Sequence, residues 1–155
     1  MSKPAPVAVL DFGTNTSRLL ITDGKSLDVR THRVTGLGRG LSASGRLSKE
    51  GIGRVLEAIE EFNLLIRQYE VTTIRAVTTS AARDAKNRDD FIDAVSKSLN
   101  HPLELLPGEE EARYGFLGAT ADLDRTDAPF LVVDIGGGST EFSCGTEAAE
   151  MYRSV

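Results

Sequence analysis

Val132-Val133-Asp134-Ile135-Gly136-Gly137-Gly138-Ser139-Thr140-Glu141-Phe142 is an apolar run that ends on a carboxylate and returns to apolar residues after three glycines, two hydroxyls and a second carboxylate. It reads as a strand, a tight turn and a return strand. Without Cβ atoms in the turn, successive N–H groups can converge on an anion. Ser139 and Thr140 add hydroxyl donors. Asp134 and Glu141 are oxygen ligands of the kind that hold a divalent cation or orient a water. The same residues equally suit a Gly-rich hairpin with two solvated acids.

A weaker copy near the N-terminus separates the two readings. Val7-Ala8-Val9-Leu10-Asp11-Phe12-Gly13-Thr14-Asn15-Thr16 is again a strand, an Asp, one residue, a Gly and a hydroxyl-bearing turn. Two such hairpins, one from each of two similar units, can face each other across a cleft and hold one chain of phosphates. The pair therefore favours phosphate binding. The arrangement resembles the acetate and sugar kinase, heat-shock ATPase and actin superfamily, which is ribonuclease-H-like.

Outward from the first hairpin, residues 18–22 read as a second strand, Asp23-Gly24 as a turn, and residues 27–34 as a half-exposed third strand. Residues 36–45 read as a flexible loop; Arg39 within it and Arg46 just after it are either solvated or within reach of a polyanion. Ser48 is an N-cap for a helix carrying Ile52, Val55, Leu56, Ile59, Phe62, Ile66 and Tyr69 at helical spacing. Residues 73–77 form a strand. A small, polar, basic stretch follows, and Asn87 caps a second helix with Phe91, Ile92, Val95 and Leu99 on one face. Residues 103–106 make a short strand, and Glu109-Glu110-Glu111 opens a third helix running to about residue 121.

Three antiparallel strands followed by alternating helix and strand make an α/β protein with a mixed sheet covered by helices. We expect a disordered tail over 1–6, a complete actin-like lobe over 7–122, and over 123–155 the first hairpin of a second, truncated lobe.

The chain has 155 residues, 40% hydrophobic and 26% charged, which is the composition of a soluble globular protein. No run approaches a membrane span. The first residues lack the apolar core of a signal peptide, so the expected location is cytoplasmic. Net charge is −5, from 18 basic and 23 acidic residues. That balance argues against general nucleic-acid binding and leaves room for a polyanion held by backbone amides and a few arginines. Cys144 is the single cysteine and reads as a small buried strand residue. His32 and His101 have no clustered partners and read as structural or solvated.

Two further stretches narrow the reading. Thr79-Ser80-Ala81-Ala82-Arg83-Asp84-Ala85-Lys86-Asn87 follows a strand, where α/β sheets place ligands. Gly108-Glu109-Glu110-Glu111-Ala112-Arg113-Tyr114-Gly115-Phe116-Leu117-Gly118 puts three acids at a helix N-terminus, which the helix dipole alone would also favour. The four stretches together resemble the exopolyphosphatase/guanosine pentaphosphate phosphohydrolase (Ppx/GppA) family, across nearly the whole chain.

By that resemblance the protein removes the terminal phosphate from inorganic polyphosphate or guanosine pentaphosphate, with Mg2+ (or Mn2+). Glu111 would be the general base for the attacking water, Glu141 the second catalytic acid, and Arg83 a contact to the transferring phosphate. Gly136, Gly137, Gly138, Ser139 and Thr140 would bind phosphate on one side, and Gly13, Thr14, Asn15, Thr16 and Arg18 on the other. Asp134, Glu141 and Asp11 would hold the metal. The resemblance implies a homodimer at full length and no nucleic-acid or membrane partner. Thr14 and Thr16 stand where many members carry Ser, and both keep the hydroxyl. Most of the second lobe is missing, so the stretch alone is expected to be inactive. An ATP-dependent sugar- or acetate-type kinase and a non-catalytic polyphosphate or alarmone sensor are the competing readings. The acids before Ala112 and the 79–87 stretch count against the kinase.

Overall fold

The computed structural model describes residues 4–155. Of the expected tail, residues 1–3 lie outside the described residues. Pro4 to Pro6 have no regular structure. The chain divides by contacts into two units, 1–105 and 106–155.

The first unit is a five-stranded mixed sheet. Strands β1 (Val7–Phe12), β2 (Thr16–Thr22) and β3 (Asp28–Val34) form an antiparallel meander, while β4 (Thr73–Thr78) and β5 (Leu103–Leu105) join it in parallel. The strand order is β3-β2-β1-β4-β5. Alternation decides which face is covered. Ala8, Leu10, Phe12, Leu19, Ile21 and Ala76 are buried beneath α2 (Lys49–Gln68) and α4 (Arg88–Leu99), whereas Val9, Arg18 and Arg75 on the opposite face are exposed. Phe62, Ile59 and Val55 on α2 and Phe91 and Val95 on α4 are fully buried. Each such side chain contributes about 1.5–3 kcal/mol.

The expected cap at Ser48 holds: its hydroxyl accepts from the Gly51 amide at 3.0 Å. Asn100 ends α4 in the left-handed region. Asn87 does otherwise. It precedes α4 without capping it. Its side chain pairs with the backbone of Leu47, accepting from N–H at 2.8 Å and donating to C=O at 3.1 Å. Tertiary pairing to a passing backbone has displaced the local cap.

The region read as a flexible loop is built into the fold. Leu37 is fully buried and Leu47 nearly so. The segment includes a single helical turn, α1 (Leu41–Ser44), between left-handed Gly40 and Gly45. The polar stretch after β4 similarly folds into α3 (Ser80–Asp84).

The second unit holds α5 (Gly108–Thr120), a short 3-10 turn (Arg125–Asp127), and an antiparallel meander of β6 (Phe130–Ile135), β7 (Thr140–Gly145) and β8 (Ala149–Ser154). Strand β8 was not anticipated from sequence. Helix α5 packs against β6, β7 and β8, and by contacts the chain divides at 105/106. Phe116 and Ala112 of α5 are buried. Arg125 ties the unit together, donating to the Thr146 carbonyl at 3.1 Å and lying over the Phe130 ring. On the other face of this sheet Leu131, Val133, Ile135, Met151 and Val155 are exposed. Cys144 shares that face and is half-buried, short of the burial expected of it. No helix among the described residues is long and apolar enough to cross a membrane.

Candidate phosphate-binding site

Each unit presents one of the two hairpins. In the first, Asp11 pairs with Arg18 across β1 and β2, and the turn closes where the Gly13 amide donates to the Thr16 carbonyl at 3.0 Å. In the second, Asp134 pairs with Glu141 across β6 and β7, and the Gly136 amide donates to the Ser139 carbonyl at 2.9 Å. The frames coincide: an Asp, a Gly two residues on, and the Asp partner seven residues on. Both glycines make a close approach, since a Cβ would lie 3.3 Å from the Thr16 carbonyl oxygen at Gly13 and 3.1 Å from that of Ser139 at Gly136.

The first hairpin is braced from three sides. Phe12 pairs with Thr78 in parallel register, so the 13–16 turn and the 79–83 junction leave the sheet side by side at the carboxyl ends of β1 and β4. There α/β sheets place ligands. The Thr14 and Ser80 hydroxyls hydrogen-bond at 2.9 Å, and the Thr78 hydroxyl donates to the Phe12 carbonyl at 2.8 Å. The Gly36 and Gly38 amides donate to the Asn15 and Thr14 carbonyls, both at 2.9 Å. Asn15 is exposed at the tip; Thr14 and Thr16 are half-buried. Arg83 is half-buried in the last turn of α3. Arg18 donates to Asp11 at 3.1 Å, which occupies the Asp11 carboxylate with an internal cation.

In the second unit, register places Asp134, Glu141 and Ser154 on one face of the sheet. Glu141 is only 3% exposed, and its carboxylate accepts from the Ser154 hydroxyl at 3.2 Å. Asp134 is exposed and reaches toward Gly115 of α5, where a Cβ would lie 3.8 Å from its Oδ2. Glu111, half-buried, stands one helical turn before Gly115 and so on the same face of α5. Three of the sequence-named acids thus belong to one unit, while Asp11 and Arg83 belong to the other. Gly137 and Gly138 form the exposed tip, Ser139 is half-buried, and the Thr140 amide is taken up by the Val155 carbonyl at 2.9 Å.

Among the described residues no group of three or more His, Cys, Asp or Glu is placed to hold a metal. The donor set that exists, two carboxylates opposite each other, still fits Mg2+, which takes one or two carboxylates and draws its other ligands from phosphate and water.

Sequence reasoning named neither Ser80, Thr78 nor Gly38 as supports of the first hairpin. Ser80 and Thr14 lie 66 positions apart, and no local pattern signals such a pairing.

The Ppx/GppA phosphatase family model matches residues 21–154. Exopolyphosphatase 2 of Mycobacterium tuberculosis (strain ATCC 25618 / H37Rv) is 41% identical over 152 residues, covering 90% of this chain and 48% of that protein. The crystal structure of an exopolyphosphatase from Cytophaga hutchinsonii matches with TM-score 0.89 at 32% identity, over 97% of this chain and 50% of that one. An Aquifex aeolicus member of the Ppx/GppA family matches with TM-score 0.81, also at 32% identity, over 97% of this chain and 50% of that one. The chain spans about half the length of the curated relatives it matches. The fold is actin-like.

Proposed function

The chain belongs to the Ppx/GppA phosphatase family, and from that premise we propose that the protein carrying it hydrolyses the terminal phosphoanhydride of inorganic polyphosphate, with guanosine pentaphosphate as a second substrate. The observation that carries this reading is the shared register of the two Asp-x-Gly hairpins.

Breaking a phosphoanhydride needs little covalent help; it needs charge stabilisation, an in-line water and a group to orient it. Glu111 takes the proton of the water as its oxygen attacks the terminal phosphorus. The bond to the bridging oxygen breaks, and that oxygen keeps the electron pair on the shortened chain. Arg83 grips oxygens of the transferring phosphate, for which a planar guanidinium is suited. The Thr14, Thr16, Ser139 and Thr140 hydroxyls hold phosphate oxygens, with hairpin amides other than those of Gly13, Gly136 and Thr140, which bond backbone carbonyls. A Mg2+ or Mn2+ ion on Asp134 and Glu141 would offset phosphate charge. No Walker-type Gly-x-x-x-x-Gly-Lys-Ser/Thr occurs in the chain, so phosphate binding falls to the hairpins.

The test is phosphate release from polyphosphate, guanosine pentaphosphate and ATP, with and without Mg2+, by a protein carrying this chain at the length of its relatives. We expect Mg2+-dependent release from polyphosphate, none from the 155-residue stretch alone, and a loss of about 10²–10⁴-fold in Glu111→Gln with ligand binding retained. An unchanged rate in that variant removes Glu111 from its role. Transfer to an acceptor in place of hydrolysis would make the protein a kinase, and tight binding without turnover would make it a sensor.

A further inference from the structure

Arg54 is a half-buried cation of α2 whose guanidinium is turned to backbone. Its Nε donates to the Thr35 carbonyl at 2.5 Å and its Nη2 to the Gly36 carbonyl at 3.4 Å. No acid pairs with it among the described residues. The same stretch of backbone is held from two other sides. The buried Thr35 and Ser17 hydroxyls pair at 3.1 Å, just past the first hairpin turn. The first turn of α2 abuts Leu37 at Gly51, where a Cβ would lie 3.3 Å from the Leu37 carbonyl oxygen.

The C=O of one residue and the N–H of the next lie in a single rigid plane and point in opposite directions. Holding the Thr35 carbonyl therefore aims the Gly36 N–H, which donates to the Asn15 carbonyl at 2.9 Å. Gly38 holds the Thr14 carbonyl in the same way, and so aims the Asn15 N–H away from the 36–38 segment. The two bonds set the polarity of the turn. Its Thr14 and Asn15 carbonyls are consumed, while the amides of the same residues donate to no group among the described residues. A turn with donors left over and acceptors taken up suits an anion. The charge on Arg54 also polarises the bonded chain that ends at the hairpin.

We propose that Arg54 is a positioning residue for phosphate binding. It holds the Thr35–Gly36 peptide so that the first hairpin offers amides, and no free Thr14 or Asn15 carbonyl, to the substrate. Arg54 acts through backbone and does not touch the substrate. Its role rests on the reading of the hairpin as a phosphate site.

The experiment measures tripolyphosphate affinity, and hydrogen exchange at the Gly36 and Gly38 amides, in the 155-residue chain. The native sequence is compared with Arg54→Met and with Ile66→Val, which thins the core at the far end of α2 and serves as a destabilised control. Arg54→Met should bind tripolyphosphate roughly tenfold more weakly and exchange both amides faster relative to those of the sheet. Ile66→Val should keep the native affinity and the native ratio of exchange rates. If circular dichroism shows Arg54→Met unfolded, Arg54→Lys takes its place with the same expected directions, since it keeps the charge and loses the two-pronged donor. Native affinity in the Arg54 variant, or an equal loss in Ile66→Val, overturns the positioning role and leaves the hairpin reading intact. Weaker binding with unchanged exchange overturns it too, and would put Arg54 on the phosphate itself. Failure of the native chain to bind tripolyphosphate sinks the hairpin reading, and the positioning role with it.

Discussion

Glu141 stands directly opposite Asp134 in the register of β6 and β7, the position that Arg18 holds opposite Asp11 in β1 and β2. The two hairpins share a frame and differ in charge at this point. In the first unit the Asp is neutralised by the guanidinium at 3.1 Å. In the second, two carboxylates share one face of the sheet, and like charges directly opposite are unfavourable.

A cation relieves that opposition. Mg2+ should therefore raise the melting temperature of the chain, and Asp134→Asn or Glu141→Gln should abolish the increment. Thermal unfolding with and without Mg2+ measures it. A native chain indifferent to Mg2+, or variants that respond as native does, would remove these two acids as the metal site.

The first hairpin depends on Gly38. A Cβ there runs into the Thr14 methyl group. Rotating Thr14 away breaks its 2.9 Å bond to Ser80. Gly38→Ala should cost about 1–3 kcal/mol of stability and weaken tripolyphosphate binding. Thr14→Val and Ser80→Ala should show a coupling of about 1 kcal/mol in a double-mutant cycle followed by urea unfolding. Additive effects in that cycle would mean that the hydroxyl pair holds nothing.

Asp23 shapes the β2–β3 turn. Its carboxylate accepts the amides of Leu27, Lys25 and Ser26, each at 2.9 Å, which lowers its pKa from 3.8 to about 2. The folded value lies below the unfolded one, so the stabilisation is present above about pH 4 and disappears as pH falls through 2. Carboxyl NMR titration should find its midpoint near 2, and Asp23→Ala should flatten the stability profile between pH 4 and 2. A midpoint at the ordinary carboxylate value would contradict the turn geometry.

Local pattern alone determined much of this protein. Alternation in 7–12 and 16–22, the helical spacing from Ile52 to Ile66, the Ser48 cap and the repeated Asp-x-Gly hairpins were all legible, because each rests on residues within a turn or a strand of one another. What partners across distance decide was hidden. The segment 36–47 reads as loose from its glycines, yet buried Leu37 and Leu47 and bonds to residues some twenty and forty positions away make it a strap. Asn87 caps a helix by its neighbours and clasps Leu47 by its fold. Helix α5 follows the first unit in sequence and packs on the second. Periodicity specifies an element; which surface the element buries depends on chain that only folding brings near.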